Sequence, residues 1–131
     1  MLVDTSGWLC VLDDRDRRHI EAERLFLSAR LLITHSYVVA ELVPLAMKRG
    51  FSRSRTLEFI DELLNDTTIS IIWVDNVLTK AANDLLRARG DKKWSLCDAV
   101  SFVIMDEEGI SEALTSDRHF EQAGYIKLLA S

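Results

Sequence analysis

The sequence is poor in the residues that mark fibres, linkers and disulfide scaffolds. One proline, Pro44, and five glycines in 131 residues exclude a Pro/Gly-rich low-complexity segment. The two cysteines, Cys10 and Cys97, have no CxxC spacing and lie in apolar surroundings, so they read as small core side chains rather than ligands or a disulfide. No long hydrophobic run is present either. The stretch from Leu31 to Met47 is interrupted by His35 and Glu41 and is too short to span a bilayer comfortably. No basic segment followed by an apolar run opens the chain, so no signal peptide is expected and a cytoplasmic protein is. Basic residues are not in excess: the net charge of −5 argues against a generic polyanion binder. That argument weakens if some of the acids are neutralised by a bound cation, because the remainder would then lie near neutrality.

What is present is an ordinary globular composition, 48% hydrophobic and 28% charged, at a length that suits a single domain over residues 1–131. Short apolar runs alternate with helical patterns. Met1-Leu2-Val3, Leu31-Leu32-Ile33, Ile69 to Val74, Ala113-Leu114-Thr115 and Ile126 to Leu129 read as buried strands. Between them, helices are expected over Thr5 to Leu12, over the segment with Ile20, Leu25 and Phe26 facing inward, from Thr34 or Ser36 to Gly50 with a kink at Pro44, from Ser52 with Leu57, Ile60 and Leu64 on one side, and from Asp75 to Gly90. This order predicts an α/β fold, a three-layer α/β/α sandwich around a central parallel sheet.

Against that frame, four acids stand in or beside core-forming sequence. Asp4 and Asp117 end strands, Glu41 lies inside the apolar run Val38-Val39-Ala40-Glu41-Leu42-Val43, and Asp98 follows Ser95 at capping-box spacing. Asp13, Asp14 and Asp16 lie in polar sequence and read as solvated. In a parallel sheet, strand carboxyl ends and helix N-termini share one rim, so the four acids should meet there. Two carboxylates about 4 Å apart repel by roughly 4 kcal/mol at an effective dielectric near 20, which calls for raised pKa values or a cation. An oxygen-only donor set suits Mg2+ or Mn2+ better than zinc. Such a site activates water for displacement at phosphorus. Thr115 and Ser116 add hydroxyls beside Asp117.

Asp4-Thr5-Ser6 after the first strand, Glu41 in an apolar helix, Asp98 near a helix start and Leu114-Thr115-Ser116-Asp117-Arg118-His119-Phe120 together resemble a PIN domain, and more narrowly the VapC-type toxins of VapBC toxin–antitoxin modules. The resemblance covers nearly the whole chain. It implies a Mg2+- or Mn2+-dependent ribonuclease, usually a homodimer, held inactive by a VapB-type antitoxin. On this resemblance Asp4, Glu41, Asp98 and Asp117 are the acidic metal-site residues, supported by Thr115 or Ser116. Arg87, Arg89, Lys92 and Lys93 precede Asp98 and are candidate contacts to RNA phosphates. Trp94 can stack on a base or pack against the sheet. His119 reads as a packing or hydrogen-bonding residue rather than a general base.

Two other classes compete. In a phospho-acceptor receiver, Asp75 would be the acceptor with Asp4, Thr115 and Lys127 as helpers, which leaves Glu41 and Asp98 unexplained. In a catalytically silent module, Leu25, Phe26, Leu42, Leu45 and Phe59 would form a groove for an amphipathic partner segment.

Overall fold

The computed structural model describes all 131 residues. Five strands, β1 (Leu2–Val3), β2 (Leu32–His35), β3 (Ile69–Ile72), β4 (Glu112–Leu114) and β5 (Ile126–Lys127), alternate with seven helices. The helices are α1 (Thr5–Leu12), α2 (His19–Ser28), α3 (Ser36–Lys48), α4 (Arg53–Asn65), α5 (Asn76–Ala88), α6 (Leu96–Glu108) and α7 (His119–Gln122). No helix is long and apolar enough to cross a membrane.

The strands form one sheet in the order β3-β2-β1-β4-β5, and every pairing is parallel. Leu2 is level with Ile33 on one side and Ala113 on the other. Side chains alternate across the sheet with period two. Val3, Leu32 and Leu114 enter a core built with α1, α2, α3 and α4. Leu2, Ile33 and Ala113 enter the opposite core, built with α5, α6 and α7. Two cores on the two faces of one sheet make the expected three layers. The chain leaves β1 towards β2 and later returns to pair β4 on the other side of β1. The order therefore reverses at β1 and β4, the crevice where open parallel sheets bind ligands. A receiver-type sheet runs 2-1-3-4-5, and this one does not, so the phospho-acceptor reading fails on topology. Asp75 has a local role instead: its carboxylate caps α5 by accepting from the Leu78 amide at 2.9 Å.

Helix α1 lies hard against β4. Gly7 faces the backbone of Leu114, and a Cβ at that position would collide with the Leu114 carbonyl oxygen. Only glycine permits this approach.

The helix faces differ from expectation at two places. In α2, Ile20 is 82% exposed while Ala22 is buried. Two residues correspond to about 200° around a helix, so once Ala22 faces α1, Ile20 must face away. In α4, Thr56, Phe59 and Leu63 are the buried residues, and Leu57 and Leu64 are exposed. Burial of Thr56 is permitted because its hydroxyl donates to the Ser52 carbonyl at 2.9 Å. Pro44 does not break α3, which runs unbroken from Ser36 to Lys48 with Pro44 on its exposed side.

Asp13 and Asp16 are not solvated. Their side chains are only 9% exposed, and they meet Arg15 and Arg18 at 2.9 Å and share Arg49 at 3.4 and 3.1 Å. The loop between α1 and α2 is thereby fastened to the end of α3. Arg17 and Arg18 add bonds to the carbonyls of Ser131 and Ala130, fastening the C-terminus as well.

Candidate active site

The site is built at the carboxyl ends of β1 and β4. Asp4 follows β1 and occupies the N-cap position of α1 in extended backbone, yet its side chain makes no cap bond. Its carboxylate turns instead towards β4, where Oδ2 accepts from the Thr115 hydroxyl at 3.1 Å and from the Ser6 hydroxyl at 3.3 Å. Asp98 completes the capping box of α6: Ser95 Oγ accepts from the Asp98 amide and Asp98 Oδ2 accepts from the Ser95 amide, both at 3.0 Å. The capping role is therefore real, and it aims the carboxylate into the site. Asp117 is held by the His119 amide, which donates to its Oδ1 at 2.9 Å, and by its own amide, which donates to Thr115 Oγ1 at 3.0 Å. Glu41, in the second turn of α3, accepts from the Thr5 hydroxyl at 3.0 Å and so is tethered to the residue after Asp4. The Cys97 thiol is pushed well up by burial and then by the charges of Glu41 and Asp4.

Asp98 and Asp117 thus meet at His119, Thr115 links Asp4 to the Asp117 amide, and Glu41 joins them only through Thr5. Ser116 contributes its backbone amide to Ser6 Oγ at 3.0 Å, not its hydroxyl. Sequence reading missed Ser6, which ties Ser116, Thr115 and Asp4 into one network. The signal for it is the Asp4-Thr5-Ser6 run itself, which carries part of the family resemblance but gives Ser6 no role of its own. His119 is a hydrogen-bonding residue, as read, but it lies inside the acid cluster: its Nδ1 is 3.2 Å from Asp98 Oδ2 and 3.3 Å from Asp117 Oδ1.

Charge in this pocket is uncompensated. Burial pushes the Asp4 carboxyl up to about 7, with the charges of Asp98 and Asp117 adding to it against the Thr5 amide and Thr115 hydroxyl. Asp98 is raised as well, first by burial and then by Asp117, against Ser95 and His119. No lysine or arginine pairs with any of the four; the His119 ring is their single basic neighbour. Each acid has one oxygen anchored by the protein and one free of protein hydrogen bonds. None of the free oxygens is sealed from solvent. Acids with fixed orientation and open oxygens fit a hard divalent cation, which would offset the burial and mutual repulsion that now raise Asp4 and Asp98. Asp98, Asp117 and His119 each place a ligand atom within 4.8 Å of the others.

The candidate RNA contacts lie at the end of α5 and in the loop that leads to α6, and Arg89 shares a cavity with Asp106 and Glu107 at the far end of α6. Arg87 is occupied by Asp84 at 3.2 Å, and Arg89 by Asp91 at 3.1 Å. Lys92 is 3.8 Å from Asp91, and Lys93 is exposed without an ion pair. Trp94 packs rather than projecting: it is 8% exposed, donates to Gln122 and lies edge-on to Phe102 with Arg89 over its ring.

Comparison with known proteins matches residues 1–125 to the PIN domain model. The chain belongs to the PIN domain family. Among its relatives is the 23S rRNA-specific endonuclease VapC20 of Mycobacterium tuberculosis, from strains CDC 1551 / Oshkosh and H37Rv. Each is 29% identical over 129 residues, covering 98% of this PIN domain and 97% of the relative. A solved structure of Mycobacterium tuberculosis VapC20, described as a sarcin-ricin loop cleaving toxin, superposes with a TM-score of 0.87 at 27% identity over 98% of both chains. The likeness thus extends over the whole chain and fold rather than over single motifs.

Proposed function

We propose that this PIN domain, acting as one domain over residues 1–131, is an endoribonuclease dependent on Mg2+ or Mn2+ and the toxin component of a type II toxin–antitoxin system. The observation that carries the reading is the convergence of Asp4, Glu41, Asp98 and Asp117 with one open oxygen each and no lysine or arginine among them. A divalent ion held there supplies water activation and stabilises charge developing on the phosphate oxygens. Asp4, Asp98 and Asp117 hold the ion, and Glu41 faces the site from α3. The Thr115 hydroxyl and the Ser6 hydroxyl keep Asp4 oriented, so that its free oxygen points into the crevice. Lys93, with Arg87, Arg89 and Lys92 behind it, draws the RNA backbone towards Asp98. The likeness to VapC20 favours a ribosomal RNA stem-loop as substrate.

A VapB-type antitoxin fits the groove between α1, α2 and α4, lined by Trp8, Val11, Leu12, Phe26, Phe59 and Leu63. Phe26 and Phe59 meet the Trp8 ring edge-on at 5.7 and 6.1 Å and form its floor. Leu42, 1% exposed, lies too deep to take part. The expected homodimer would use other apolar surface, with Trp73 and Val77 at 65% and 76% exposure the prominent candidates. A cytoplasmic location accompanies an RNA substrate.

The test is Asp98→Asn. Asparagine preserves the shape of the capping box and removes the charge, so metal-dependent cleavage should fall on the order of 100-fold or more, with thermal stability unchanged or higher because repulsion with Asp117 is relieved. Cleavage should also stop in EDTA and return with Mn2+ or Mg2+. Full activity of the variant, or activity persisting in EDTA, would overturn the proposal.

A further inference from the structure

We propose that His119 is itself a metal donor, binding through Nδ1 beside Asp98 and Asp117, and that it biases the site towards Mn2+ over Mg2+. The inference rests on the reading of the acid cluster as a divalent-metal site and adds a nitrogen to it.

The three histidines are placed differently. His19 uses both ring nitrogens, Nδ1 with the Cys10 carbonyl at 2.9 Å and Nε2 with Glu23 at 2.9 Å. His35 is fully buried, with Nε2 against Ser101 Oγ at 2.8 Å. In His119, Nδ1 faces two carboxylates at once, at 3.2 and 3.3 Å, while Nε2 has no protein partner on a ring 28% exposed. One N–H cannot point along two directions, so as a hydrogen-bond donor Nδ1 serves Asp98 and leaves Asp117 without a directed bond. As a metal donor it serves both.

Around an octahedral ion with bonds of about 2.1 Å, neighbouring donors are about 3.0 Å apart and opposite donors about 4.2 Å. The two Nδ1 separations are close to octahedral edges, and the whole trio lies within 4.8 Å. The ring is pre-positioned by the backbone, because the His119 amide donates to Asp117 Oδ1 at 2.9 Å at the start of α7. When an ion takes the place of the Nδ1 proton, the proton can sit on Nε2, which has no protein partner, and Nδ1 offers the lone pair that a ligand needs. Mg2+ takes oxygen donors and holds its waters, whereas transition ions accept imidazole readily. A nitrogen here therefore discriminates between the two ions, which four carboxylates alone would not.

The experiment is pulsed EPR on the full chain loaded with Mn2+ alone. Nitrogen modulation from a directly bound imidazole is expected in the wild type, and it should change when the protein is grown with 15N-labelled histidine. In His119→Asn, which keeps a hydrogen-bonding group near Asp98, the modulation should vanish. Mn2+ affinity should then fall about tenfold or more, while Mg2+ affinity changes less than about threefold. Bound Mn2+ without nitrogen modulation in the wild type overturns the inference, as does modulation that survives in the variant or an equal loss for both ions. Failure of Mn2+ to bind at all would instead sink the metal reading beneath it. The isotope measurement uses wild-type protein and does not depend on the variant folding.

Discussion

Thr115 Oγ1 donates to Asp4 Oδ2 at 3.1 Å, joining the ends of two adjacent strands across a separation of 111 residues. The same hydroxyl accepts from the Asp117 amide and shares a 3.0 Å contact with Ser6 Oγ. A hydroxyl has one donor and two acceptor positions; Thr115 gives its proton to Asp4 and accepts from the Asp117 amide, with Ser6 Oγ beside its remaining lone pair.

Replacing Thr115 with valine keeps the volume and removes those bonds. The Asp117 amide is left without its partner and Asp4 with Ser6 alone. Unfolding in urea should show a loss of about 1–3 kcal/mol, accompanied by a fall in cleavage. Thr115→Ser should restore most of both.

Asp4 gives a pH signature in metal-free protein. Its folded pKa of about 7 is above the ordinary value of 3.8, so its contribution to stability is fully present below pH 4 and is lost as pH rises through 7. Asp4→Asn should therefore melt close to the wild type at pH 5 and clearly above it at pH 8, as followed by thermal unfolding in EDTA. A constant difference across that range would contradict the assignment.

Lys93 should matter more to RNA binding than Arg87, which is already paired with Asp84. Lys93→Ala is expected to lower affinity for a single-stranded RNA several-fold and to reduce the salt dependence by about one counterion. Arg87→Ala should change either quantity little. Filter binding across a salt series, performed with the Asp98→Asn protein to prevent cleavage, measures both.

Arg49 is the cation shared by Asp13 and Asp16. Arg49→Met should cost about 1–2 kcal/mol at neutral pH, less than a fully buried pair because Arg15 and Arg18 remain. Arg18, with Arg49 behind it, holds the Asp16 carboxyl well below its ordinary value. Stability from such a group is present above the unfolded value near 3.8 and lost as pH falls through the folded one. The penalty should therefore shrink below pH 4 in denaturant titrations.

The sequence made the site legible because charge inside apolar sequence is costly and needs a reason. Asp4, Glu41, Asp98 and Asp117 each carried that signal, and alternation of strand and helix placed them on one rim. Rotation of the outer helices was less visible. In α2 and α4 more than one stripe contains apolar residues; packing against α1 selects Ala22 over Ile20, and packing against α3 and Trp8 selects Phe59 with Leu63 over Leu57 with Leu64. Burial of Asp13 and Asp16 was hidden for a related reason: the arginine that completes their cluster comes from the end of α3. His119 could be read as a hydrogen-bonding residue, but nothing in its neighbours along the chain signals that its ring folds back between two acids.

The contact between Gly7 and the Leu114 backbone has a bearing on how the acids come together. Main chain pressed on main chain sets the spacing between the first strand's exit and the fourth's by packing alone. The folded chain confines mutually repelling charges before any counter-charge arrives. Capture of the proposed metal would then be the release of a tension already stored in the fold, and an empty molecule should have nearly the same outline as a loaded one.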